Sequence, residues 1–143
     1  MTRERTARIR FICRDAVLVY VCPIYKHVFI VRQAVLQKEV DYLLEVGANG
    51  DNGYVGPAMV SESRQRLAAL GMEPEKVIYE IGSTSGAPAN DPSAPLLRGS
   101  GIILTIRYPH GRILEIDRLI GMSPPSSETL MGATGMKMSE YVP

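Results

Sequence analysis

Two histidines, two cysteines and a scatter of serines and carboxylates are the residues here whose chemistry could carry a reaction. His27 follows Lys26 in a stretch of helical periodicity, and His110 sits in a Pro109-His110-Gly111 turn. Neither has a cysteine or carboxylate at ligand spacing, so the donor set of a metal centre is not assembled. On one helix Cys13 and Cys22 would be separated by about 13.5 Å of rise, whereas a disulfide needs Cα atoms within about 7 Å. They read as two small apolar side chains, with a bridge to another chain left open. Asp91 in Asn90-Asp91-Pro92 offers one carboxylate, too few for calcium and well suited to a turn. Ser83, Ser85, Ser93, Ser100, Ser126 and Ser127 lie outside any G-x-S-x-G or S-x-x-K setting. The glycines of 47–56 and 82–101 do not join a strand to a helix, as a phosphate cradle requires. Glu80, Glu115 and Asp117 come nearest to a carboxylate pair. Strand alternation puts Glu115 and Asp117 together on a solvated sheet face, which explains them without catalysis. The sequence therefore points to no enzyme, no cofactor and no metal, and to no small-molecule substrate.

Composition narrows the classes further. The chain has 143 residues, 45% of them apolar, which suggests one domain with enough apolar material for a core. Lys and Arg number 16 against 15 Asp and Glu, so the basic excess of a nucleic-acid binder is missing. The charge is uneven, however. Arg3, Arg5, Arg8, Arg10 and Arg14 precede Asp15 with only Glu4 against them, and the remainder is net acidic.

The elements that would position these residues begin with one stretch, Asp15 to Val46. Ala16 to Tyr25 carries no charge; Lys26 and His27 interrupt it, Val28 to Val31 resume it and Arg32 closes it. A free-standing transmembrane helix wants about 20 apolar residues, and Lys26 near mid-span would be costly in lipid. Ile24, Val28, Val31 and Val35 step by three and four, and Leu36, Val40, Leu43 and Leu44 continue an apolar stripe beside Gln37, Lys38, Asp41 and Glu45. As one helix, 15–46 would run about 48 Å, longer than the roughly 30 to 40 Å of a domain this size, so part of it is expected to project. Pro23 predicts a kink or a locally unwound stretch. Gly47, Gly50 and Asp51-Asn52-Gly53 end the helix.

A short second helix follows Gly56-Pro57, with Met59, Val60, Leu67 and Leu70 facing inward. Leu70-Gly71-Met72-Glu73-Pro74 is its stop signal. The rest reads as an antiparallel sheet of about four strands: 76–81, 101–108, 112–120 and 130–141. Ile102, Leu104, Ile106 and Tyr108 share one face, and 101–108 is expected to form a hairpin with 112–120. Between them lie two polar loops, 82–100 and 122–129, of the kind that is functional or disordered. The expected class is α+β, with residues 1–46 as basic N-terminus and long helix and 47–143 as the head.

A helix apolar all round must be buried in something. Ala16 to Tyr25 has no polar side beyond two tyrosines, and a head this small cannot cover it. The expected cover is the same segment in other copies, with Asp15, Arg14, Lys26 and Arg32 pairing between chains and setting register.

This layout resembles type IV pilin-like proteins, and more narrowly the small Tad-type pilin-like proteins of Gram-positive bacteria. The matching pieces are Asp15 before an apolar helix, Pro23 within it, the amphipathic run Val31-Arg32-Gln33-Ala34-Val35-Leu36-Gln37-Lys38-Glu39-Val40, the Gly-rich break after Val46, the short helix ending Leu70-Gly71-Met72, and the final Ala133-Thr134-Gly135-Met136-Lys137-Met138-Ser139-Glu140-Tyr141. The resemblance covers nearly the whole chain as a layout and implies a structural subunit of an extracellular filament. Its helix would sit in the cytoplasmic membrane before assembly and at the filament centre after it. The implied assembly residues are Asp15, Val17, Val19, Val21, Pro23, Ile24, Lys26, Val28, Val31 and Val35, and the implied partner is many copies of the same chain. Two alternatives stand beside it: a membrane-anchored accessory protein of a secretion or conjugation apparatus, and a soluble α+β ligand-binding domain or enzyme with 82–100 as a lid.

Overall fold

A computed structural model describes residues 2–111, 123 and 129–143, with the backbone alone at 2–14, 17, 18, 21 and 22. In chain order the elements are α1 (Thr2–Gly47), α2 (Pro57–Ala69), a 3-10 turn (Pro74–Lys76), β1 (Ile78–Ser83), β2 (Gly101–Pro109) and β3 (Leu130–Met138). The fold is α+β, and its described sheet is antiparallel with three strands in the order β1-β2-β3. Both edges of β2 are occupied, by β1 and by β3, so β3 takes the place expected of a strand at 112–120. That expected fourth strand, and Glu115 and Asp117 with it, lies outside the described residues, as does most of 122–129. The chain forms two compact units, Met1–Arg32 with His110–Thr129, and Gln33–Pro109 with Leu130–Pro143.

In the second unit the 3.6-residue and two-residue periodicities meet. Leu36, Val40, Leu43 and Leu44 are buried on α1; Ile102, Leu104, Ile106 and Tyr108 are buried on β2, with Met131 and Ala133 on β3. Burying an aliphatic side chain of this size contributes about 1.5–3 kcal/mol. The helix comes close to β3 because Gly135 has no side chain: a Cβ there would lie 2.8 Å from Leu44 Cδ1 and 2.9 Å from Val40 Cγ1. The Gln33 side-chain amide donates to the Gly132 carbonyl on β3.

Helix α2 starts with Pro57 in its first turn, where a missing N–H costs nothing. It ends in a left-handed cap: Gly71 has φ +82°, Met72 N–H donates to Leu67 O at 3.1 Å and Gly71 N–H to Ala68 O at 3.0 Å. Leu67 and Met72 are buried as the pattern predicts, but Leu70 is 63% exposed. The turn to Gly71 follows Leu70 directly and carries it out of the inward row. The buried residues of α2 are Leu67 and Ser63, and the Ser63 hydroxyl lies 2.7 Å from the Tyr79 hydroxyl.

The loop after β1 is tied down rather than loose. Val55 N–H donates to Ala89 O at 2.8 Å, Leu96 N–H to Gly53 O at 2.8 Å, and Arg98 N–H to Tyr141 O at 2.9 Å. Ala89 and Leu96 are buried, and Ser139 Oγ donates to Leu96 O at 2.6 Å. Gly53 is the tightest point of this seam. It has φ +71°, and a Cβ would lie 2.8 Å from Tyr141 Cβ and 2.9 Å from Leu96 O. Gly53→Ala is expected to destabilise the protein by about 2 kcal/mol or more, as left-handed backbone strain and overpacking add. A shift of the urea unfolding midpoint measures it.

In the first unit α1 continues through Pro23 with no interruption, so the unwound stretch predicted there is not seen. Proline removes the bond that the Val19 carbonyl would accept. Val19 and Pro23 are both exposed, so water is at hand for that carbonyl. The helix also reaches back to Thr2, well before Asp15. His110 stacks on Phe29 with ring centres 5.0 Å apart and planes 26° apart, and its N–H donates to Thr129 O at 3.1 Å.

Among the described residues His110 Nδ1 is buried without a hydrogen-bond partner. Burial holds the imidazole below its ordinary value of 6.5. The folded chain therefore binds fewer protons than the unfolded chain just below that value. Stability is full above pH 6.5 and falls as the pH drops through the window between 6.5 and the depressed folded value. Urea midpoints at neutral and mildly acid pH should show this loss, and His110→Phe should remove that part of it.

Candidate functional site

The first candidate surface lies on α1 between Asp15 and Arg32. Val19 is 66% exposed, Tyr20 74%, Ile24 62%, Ile30 59% and Val31 48%, with Tyr25 and Val28 also exposed. Single exposed apolar residues are ordinary, but seven within thirteen positions of one helix form a patch. At about 3.6 residues per turn, Tyr20, Ile24, Val28 and Val31 fall on one stripe, while Asp15, Val19, Lys26 and Ile30 fall on the far side of the helix. Asp15 and Lys26 are exposed and Arg32 is half-buried. None of the three has an ion-pair partner among the described residues. Val17 and Val21 are helical in backbone, and Pro23 is exposed. Of the ten predicted assembly residues, Val35 alone belongs to the second unit, where it is half-buried.

Val35 lines the second candidate, a groove of 440 Å³ between α1 and α2 that also touches Lys38, Glu39, Tyr42, Arg66 and Leu70. Its centre is an ion pair. Arg66 Nη2 lies 2.6 Å and Nε 3.0 Å from the same Glu39 oxygen, Oε1. The Arg66 guanidinium also lies 4.6 Å above the Tyr42 ring, and Glu62 stands one turn before it at 3.8 Å. The hydrogen bond to Glu39 holds Arg66 further above its already high ordinary value. Glu39 is buried at 8% exposure, a carboxylate set among Leu36, Val40 and Leu43. That placement was the one readable signal: a charge inside an apolar helical stripe needs a partner. The partner stands 27 positions away on another helix, which local spacing does not reveal.

The remaining candidates resolve into structure. Asp91 accepts from Ser93 N–H at 2.8 Å and Ser93 Oγ at 2.6 Å, the turn expected of it. The Ser93 hydroxyl and then its N–H hold the Asp91 carboxyl below its usual value. Among the described residues no group of three or more His, Cys, Asp or Glu side chains is placed to hold a metal ion. No helix among them is long and apolar enough to cross a membrane. Comparison with known protein families, with curated proteins and with solved structures finds no match to this chain.

Proposed function

We propose that this chain is a structural subunit of an extracellular type IV pilus-like filament, assembled through the apolar half of α1. The observation that carries the reading is the run of exposed large apolar side chains from Val19 to Val31. Water penalises each of them by up to about 1.5–3 kcal/mol relative to burial, so a second surface that covers the run gains a large part of that sum. The same helix, from Gln33 onward, is committed to its own sheet through Leu36, Val40, Leu43 and Leu44. One helix thus offers one half to its own fold and the other half to neighbours. Repetition of such a contact without closure makes a polymer. Asp15, Lys26 and Arg32, unpaired within the chain among the described residues, are available for pairing between copies and would penalise wrong registers more than they add affinity.

Electron microscopy of the purified chain tests this. Filaments with helices gathered along the axis are the expected result. A monomer at every accessible concentration, by sedimentation, overturns it.

A further inference from the structure

Each outer edge of the sheet of the second unit carries backbone groups without a protein partner among the described residues. Thr84 N–H donates to Gly101 O at 2.9 Å, and the strand register then turns Ile78, Glu80 and Gly82 toward β2. Tyr79, Ile81 and Ser83 therefore direct their backbone groups away from the sheet. The Ser83 carbonyl is taken by Gly86 N–H at 3.4 Å. The N–H and C=O of Tyr79 and Ile81 have no protein partner among the described residues. On β3 the Gln33 side chain caps the outward Gly132 carbonyl, while the N–H and C=O of Thr134 and Met136 are likewise without a protein partner among the described residues; what sets β1 apart is the cavity beside it. Natural sheets usually guard such edges, and a bare one is a template for a further strand.

Beside the β1 edge lies a cavity of 370 Å³. Val55, Pro57, Val60 and Ile81 make its apolar walls, and Tyr79, Arg64 and Asn90 complete the lining. Among the described residues Arg64 is the one charged residue lining it. Its guanidinium lies 5.4 Å from the Tyr79 ring centre, and among the described residues only its Nη1 is committed, to Pro74 O at 3.1 Å.

We propose that the β1 edge docks an extended segment of a partner protein that carries an aliphatic residue and a carboxylate with one residue between them. The spacing follows from the sheet. Tyr79 and Ile81 are two apart and their side chains share the cavity face. A strand added to β1 sets two of its own residues, also two apart, beside them. The residue beside Ile81 meets the Val55, Pro57 and Val60 walls and is aliphatic. The residue beside Tyr79 meets the free side of the Arg64 fork and is an acid. The N–H and C=O of Tyr79 and Ile81 supply the backbone bonds, as in other strand-addition modes. The described strands of a second copy do not fit. Paired about a two-fold axis, β1 would bring Tyr79 and Ile81 to the cavity and no acid, and β3 contains no acid at all.

The test is fluorescence anisotropy of a labelled pentapeptide, acetyl-Thr-Val-Thr-Glu-Thr-amide, with the full chain, readable whether that chain is monomeric or polymeric. Saturable binding is expected, with slowed amide exchange at Tyr79 and Ile81. Glu→Gln in the peptide, or Arg64→Gln in the protein, should weaken it about tenfold, the worth of a charge-assisted hydrogen bond. N-methylation of the peptide residues that face β1 should abolish it. The peptide changes carry the test even if Arg64→Gln perturbs the fold through the Pro74 carbonyl. Absence of binding at millimolar peptide, indifference to both peptide changes, or protection at sites other than β1 each overturns the proposal. Self-association of the chain that Arg64→Gln abolishes would also overturn it, by giving the edge to a second copy.

Discussion

Replacing Ile24 and Val28 together with glutamate should leave a folded protein that does not assemble into the proposed filament. Both side chains are exposed, at 62% and 40%, so neither holds its own fold together. Exposed substitutions of this kind change stability by about 0.5 kcal/mol or less, and glutamate is a better helix former than either β-branched residue. The effect on assembly is of another size. Each subunit interface would lose two aliphatic side chains worth about 1.5–3 kcal/mol apiece and would have to bury two carboxylates in their place. The concentration needed for assembly should rise about a hundredfold or more. Ile24→Leu with Val28→Ile keeps the apolar surface and should leave the proposed assembly intact. Sedimentation and circular dichroism on the same samples separate the outcomes. Folded double-glutamate chains that still polymerise would remove the Val19–Val31 surface from the account.

Leu104→Ala should show the reverse pattern, a large loss of stability from one truncation. Leu104 is fully buried at the middle of β2, between its register partners Ile81 and Gly135. Gly135 has no side chain to move into the space, and a β-sheet centre relaxes little. Truncations of this kind cost about 2–5 kcal/mol, against a typical total of about 5–15 kcal/mol for a domain. Met136→Ala, at 58% exposure on the other face of the neighbouring strand, is the control and should change stability by about 0.5 kcal/mol or less. Urea unfolding with an unchanged slope and a lowered midpoint is the expected readout for Leu104→Ala.

These two variants mark what the amino-acid pattern makes readable. The three-and-four spacing of Leu36, Val40, Leu43 and Leu44 and the alternation of Ile102, Leu104, Ile106 and Tyr108 name their buried faces, because each depends only on local geometry. The stop at Leu70-Gly71-Met72 is readable for the same reason, since a left-handed glycine cap is a local event. Choice of partner is not local. β2 pairs with β3 across the intervening 110–129, and adjacent alternating segments such as 101–108 and 112–120 invite a hairpin reading that spacing alone cannot refuse. The exposure of Leu70 depends on where the cap turns the chain, within one residue. Continuity at Pro23 depends on water reaching the Val19 carbonyl, an environment and not a motif. The exposed apolar half of α1 was readable as an excess over what the head can cover. The bare β1 edge was not, because strand order decides which strand has an open side.

The seam at Gly53 also sets a schedule. Glu140 N–H donates to Ala48 O at 2.9 Å, Ser139 N–H to Ser100 O at 2.8 Å, and Arg98 N–H to the Tyr141 carbonyl at 2.9 Å. These bonds join positions roughly 40 to 90 residues apart, and loop closure over such spans is paid before the contact rewards it. Synthesis must pass Tyr141 before Ala48, Ser100 and Arg98 find their partners. Until then α1 is already made, its Leu36–Leu44 face has no β3 to rest on, and the nascent chain carries two uncovered apolar surfaces instead of one. A ribosome stalled before residue 130 would therefore hold a chain that is still protease-sensitive throughout 33–109, and the head would close only once 130–141 have been made and exposed.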